Sequence, residues 1–160
     1  MKAVFAAALV SLLPSARADA QTENITRVAK AGHEAGIGYA LQWNKKCEPQ
    51  IPKLVLTLPP DHGSICARDY IAVARRNVVS DDRTCIGKRI RGVQVIYLAR
   101  SDYAGHDTVD YLIQFPGKSI SKHVDIEVRP DETAAARLGE ESISPGKAGD
   151  VIVTCAPLSS

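Results

Sequence analysis

The sequence predicts an all-β fold, an antiparallel β-sandwich of about seven strands with a short C-terminal extension. Three observations predict it. Short apolar runs alternate with period two. Proline, glycine and aspartate clusters separate them. Roughly seven such runs fall within about 100 residues, a density that favours a sandwich over a barrel or an α/β fold.

The first 20 residues stand apart from that pattern. Lys2 gives a positive start, residues 3–13 (AVFAAALVSLL) are uninterruptedly apolar, and Pro14 ends the run. Ala18-Asp19-Ala20 is a small-x-small site. This is the layout of a secretory signal peptide, with cleavage expected after Ala20 and Ala18 as the alternative; the run is short for a bilayer span. No cysteine follows the site, as a lipoprotein would require. No later segment approaches transmembrane length. The expectation is a soluble chain, secreted or periplasmic and not membrane-spanning.

Residues 21–37 are small and polar and read as a flexible leader. Residues 38–130 read as one sandwich domain. Within it, Tyr39, Leu41 and Trp43 alternate, and Lys53 to Leu58 is an apolar, β-branched run bounded by prolines. Residues 64–74 place Ile65 and Ala67, then Ile71 and Val73, as a strand with an expected bulge. Val93, Val95 and Tyr97 share a face in 92–99; Val109, Tyr111, Ile113 and Phe115 share one in 108–115. In 121–128, Val124, Ile126 and Val128 oppose His123, Asp125 and Glu127. Pro116-Gly117 is a turn that makes a hairpin of the last two. Residues 75–91 are charged and read as a long protruding loop. Residues 131–160 read as an extension, with a short helix over 132–138 capped by Asp131 and a last edge strand over 151–155.

All four cysteines, Cys47, Cys66, Cys85 and Cys155, follow the signal-like segment. An even count in that context predicts two disulfides in an oxidising compartment. Zinc would want paired close spacings, and the closest two cysteines here are 19 residues apart. Of three possible pairings, Cys47–Cys85 with Cys66–Cys155 is preferred. The first would close a loop worth ~4 kcal/mol in the chain-entropy account.

The charge balance narrows function. Without Lys2, Arg17 and Asp19 the chain holds 18 basic and 17 acidic residues, so it is not a general polyanion binder. One local feature departs from that balance. Arg75, Arg76, Arg83, Lys88, Arg89 and Arg91 cluster within 17 residues, against Asp81 and Asp82. On a protruding loop they form a basic patch suited to an anionic cell-envelope component or an acidic protein face. Nucleic acid is not expected, because no aromatics interleave the cations.

Catalytic patterns are weak. His33, His62, His106 and His123 share no metal-pair spacing, although His62 and His106 both lie on turns. Methionine is absent after residue 1, which removes the usual blue-copper axial ligand. Ser64 follows His62-Gly63 without a nucleophile elbow. Asp81-Asp82 are adjacent and point apart as a solvated turn would. No cofactor, metal or catalytic residue is expected. The predicted role is a non-catalytic binding module, with a small inhibitor or accessory protein acting through 75–91 as the alternative and a small hydrolase behind it.

Gly92, Val95 and Tyr97, then Tyr103, Gly105 and Asp107, then Val109 and Tyr111, make a pattern with a family likeness. It resembles the cadherin-like and bacterial Ig-like domains, and residues 59–65 (PPDHGSI) resemble their upstream P-x-x-G-x-apolar turn. The order of these motifs also resembles small exported proteins of α-proteobacteria. The likeness covers residues 38–128 and implies an Ig-like or cadherin-like sandwich. Ala99 stands where proline is usual, the acidic calcium motifs are missing, and there is one copy. Asp107, at a strand start, is expected to accept N–H groups of the loop before it, with Gly105 allowing a positive φ or a close approach. Tyr97 and Tyr111 are expected to be structural.

Overall fold

A computed structural model describes residues 21–75, 83–131 and 146–155. The signal-like segment 1–20, Arg76, Asp81, Asp82 and the helix expected over 132–138 lie outside the described residues. Seven strands run in chain order: β1 (Gln21–Lys30), β2 (Glu34–Ala40), β3 (Lys53–Leu58), β4 (Gly63–Val73), β5 (Arg89–Ala99), β6 (Gly105–Phe115) and β7 (Lys118–Arg129). They form two sheets, ordered β1-β7-β6-β3 and β2-β5-β4. No described residue is helical.

The period-two pattern explains the layering. Val109, Tyr111, Ile113 and Phe115 of β6 and Val124, Ile126 and Val128 of β7 meet Ile37, Ile65, Val95 and Tyr97 of the other sheet in one buried cluster. Each strand contributes alternate residues to that layer, as a half-buried pleat must. A smaller cluster of Leu41, Trp43, Ala74, Cys85 and Ile90 lies beyond it, at the β4–β5 hairpin.

Four strand pairs are antiparallel, and the fifth, β1 with β7, is parallel. The expected all-antiparallel sheet and the flexible leader over 21–37 are both corrected here. Ten residues of that supposed leader pair with β7 from Gln21↔Ile120 to Lys30↔Arg129. The leader reading failed because the inward positions of β1 include Glu23 and Arg27, which conceal the alternation of Ile25 and Ala29.

Other boundaries move. β2 ends at Ala40 instead of continuing through Trp43. β5 begins at Arg89, so Arg89 and Arg91 are strand residues and the loop is shorter than 75–91. β4 runs against β5 from Gly63↔Ala99 to Val73↔Arg89 without a bulge. Ile65, Ala67, Ile71 and Val73 are all odd-numbered and share one face, with Asp69 between them. The register shifts occur in β2, at Gly36/Gly38, and in β3, at Leu56/Leu58.

Residues 149–155 do not make the expected last strand. They form a strap across two sheet edges. Asp150 and Leu56 bond through Leu56 N–H at 2.9 Å, and Ile152 N–H donates to Leu54 O at 3.0 Å. Ala67 N–H then donates to Val153 O, and Cys155 N–H to Ala67 O, both at 2.8 Å. The strap thus joins the β3 edge to the β4 edge. Disulfides connect Cys66 with Cys155 and Cys47 with Cys85, which leaves no free cysteine.

Candidate functional site

The inner face of β1 and β7 carries charge where a sandwich would normally carry only apolar side chains. Glu23 pairs in register with Lys122, and Lys122 with Tyr111 of β6, so one row crosses three strands. Glu23 and Lys122 form an ion pair. Charged residues at these positions cannot close a dry core, because burying them would forfeit their hydration. A cleft of about 680 Å³ opens there. Ile25, Ile113, Phe115 and Ile120 give it an apolar lining; Glu23, Arg27, Lys122, Arg75, Tyr39 and Tyr70 give it a polar one. Three cations face one carboxylate. Tyr39 and Tyr70 lie with ring centroids 5.7 Å apart, and Tyr39 is 62% exposed.

Beneath this row the Tyr111 hydroxyl is buried and meets no hydrogen-bond partner among the described residues. Burial raises its pKa above the usual phenol value, with the Glu23 carboxylate adding to the rise and Arg27 opposing it. Gly38 of β2 covers it, and a Cβ at that position would lie well inside contact distance of the Tyr111 oxygen.

The basic cluster continues from the cleft. Arg75, Arg83, Lys88, Arg89 and Arg91 are all exposed. Arg91 pairs with Asp69 at 2.7 Å. The hairpin end that carries them is fixed by Ala74, whose N–H donates to Lys88 O at 2.8 Å and whose O accepts Gly87 N–H at 2.9 Å. Cys85 is fully buried there and bound to Cys47, so the hairpin end is braced from below. The structure brings Arg75 to the cleft and leaves Arg83 and Lys88 on the adjoining turn. The cleft itself was missed in the sequence. Its one legible sign was Lys122, an even-numbered residue in the apolar row of Val124, Ile126 and Val128.

The loop before β6 has a different character. Asp107 is only 5% exposed. Its carboxylate accepts from Asp61 N–H at 3.0 Å, His62 N–H at 2.9 Å, Thr108 N–H at 2.9 Å and the Tyr97 hydroxyl at 2.8 Å. Four donors use the roughly four lone-pair sites of a carboxylate. The expected partners were the N–H groups of the preceding loop; the actual ones belong chiefly to the 59–64 turn, because β6 starts beside it. Burial, then the hydrogen bond to Asp107, pushes the Tyr97 phenol above its ordinary range. Gly105 has φ 149° and faces the Tyr103 hydroxyl, which donates to His106 O at 2.7 Å. His62 stacks on Tyr103 with centroids 3.7 Å apart. Among the described residues no group of three or more metal-ligating side chains gathers at these histidines or elsewhere.

No known family profile matches the chain, and no curated protein matches it. Among solved structures, the solution structure of amebosin is similar with a TM-score of 0.36 and 8% identity, over 69% of this chain and 98% of that one. At that level the likeness is too slight to define the fold, which rests on the strand order above.

Proposed function

We propose that the protein is an exported, non-catalytic binding module whose cationic cleft takes an anionic component of the cell envelope. One observation carries the reading. The cleft, with three cations against one carboxylate, an exposed Tyr39 and a half-buried Tyr70, runs on into the exposed cations of the β4–β5 hairpin. An apolar cleft with a few charged groups suits a ligand that carries both apolar and anionic parts. Two disulfides and no free thiol suit an oxidising compartment. The signal-like segment 1–20 supports the same address. The pairing of β1 with β7 beside the β2-β5-β4 sheet supports an Ig-like or cadherin-like arrangement. The filled lone pairs of Asp107 support a structural rather than a catalytic role for the 101–107 loop.

Titration of the oxidised chain with purified lipopolysaccharide tests this. Saturable binding that weakens with salt, and falls about tenfold or more when Arg27, Arg75 and Lys122 are neutralised, is the expected result. Binding that ignores both salt and those substitutions rules the reading out. The hairpin end braced by Cys47–Cys85 supports a second reading, a small inhibitor. A stable complex with one member of a protease panel would favour it.

A further inference from the structure

β4 lies at the edge of its sheet. The strap shows which way its backbone groups point. Ala67 directs both N–H and C=O away from β5, toward residues 153 and 155. By strand alternation Asp69, Ile71 and Val73 do the same. Among the described residues, none pairs with this edge beyond Ala67. The side chains there are apolar and open, Ile71 56% exposed and Val73 50%. A long edge of that kind is a template for another strand.

We propose that the edge is closed by a second copy of this chain, through antiparallel pairing of β4 with β4 centred on Ala72. That register sets each Ile71 opposite a Val73 and each Asp69 opposite an Arg75. All four positions turn their backbone groups outward, Arg75 because Ala74 turns its own toward Lys88 and Gly87. The register is therefore hydrogen-bonded throughout and complementary in charge, with each Asp69 set between Arg91 of its own chain and Arg75 of the second copy. Slipping it by two residues in either direction sets Asp69 against Val73, or Arg75 against Ile71, and loses the match. The two-fold arrangement uses the same patch on both copies, so it closes at two and does not propagate. It does not depend on any ligand of the cleft.

Sedimentation of the oxidised chain over a concentration series tests the pairing. A reversible monomer–dimer equilibrium is expected. Ile71→Lys, at an exposed position, is expected to abolish the dimer while the melting temperature stays within a few degrees. Asp69→Arg and Arg75→Asp are each expected to weaken it about tenfold or more by setting like charges opposite. The double variant is expected to recover at least tenfold over either single. A wild-type chain that stays monomeric to ~1 mM overturns the proposal. So does a dimer indifferent to Ile71→Lys, or a double variant no better than the singles.

Discussion

Asp107 shows how one buried carboxylate can fix two separate parts of a chain. Its donors come from residues 61 and 62, from Thr108 and from Tyr97, so it joins a turn, a strand start and the opposite sheet. Replacing it with alanine takes the acceptor from three backbone N–H groups and leaves the Tyr97 hydroxyl only the His62 carbonyl, 3.2 Å away. The expected cost is on the order of 3–5 kcal/mol, or roughly 10 °C in melting temperature. An unchanged melt would remove Asp107 from the list of structural residues. Tyr97→Phe takes away one donor only and is expected to cost ~1–2 kcal/mol. Gly38 and Tyr111 form a second, coupled pair. Gly38→Ala drives a methyl into the Tyr111 hydroxyl and is expected to cost ~1–3 kcal/mol. Tyr111→Phe removes a hydroxyl that has no described partner, so it is expected to be nearly neutral. In the double variant most of the Gly38→Ala cost should vanish, because the ring carbon beneath lies at ordinary contact distance, 3.5 Å. Additive losses in a double-mutant cycle would contradict that account.

The strap is a short segment with two jobs. It hydrogen-bonds the free edges of β3 and β4, and Cys155 anchors it to Cys66 of β4. Its bond spans 89 residues of sequence, worth ~4–5 kcal/mol in the chain-entropy account. Replacing Cys66 and Cys155 with serine is expected to lower stability by roughly that amount and to expose both edges. Faster hydrogen exchange at Leu56, Ala67 and Ile152 would report the exposure, since the N–H groups of all three make bonds between the strap and the edges. Protection unchanged at all three would show that the strap stays docked without its disulfide. β1 teaches the complementary lesson. A strand with Glu23 and Arg27 on its inward face looks like a polar leader until its neighbour is known.

Charge is distributed unevenly over a nearly neutral chain. The cleft and the β4–β5 hairpin gather cations, while the outer face of β6 and β7 holds His123 between Asp110 at 2.5 Å and Asp125 at 3.5 Å. The hydrogen bond to Asp110, then the two carboxylate charges, raise the His123 pKa above its ordinary 6.5. A raised histidine stabilises the folded chain fully below the unfolded pKa, and that contribution is lost as pH rises through the folded value. Melting temperature is therefore expected to fall slightly from about pH 6 upward, by a degree or two because the pair is exposed. His123→Gln should flatten this slope. A wild-type histidine that titrates at or below the ordinary value by NMR would refute the assignment.

Residue order alone was enough to show an all-β chain with about seven strands. Alternation is a local property, and β3, β6 and β7 kept it clearly. The cysteine count, together with its context, was enough to suggest two disulfides. Tertiary structure decided what those local patterns could not carry. The pairing of β1 with β7 lies in contacts about 100 residues apart, invisible to a period-two reading. The cleft exists because Glu23, Arg27 and Lys122 take inward positions on strands that meet only in the folded chain. The carboxylate of Asp107 found its donors across 45 residues for the same reason: hydrogen-bond partners are chosen by proximity in space, and the sequence records only proximity along the chain.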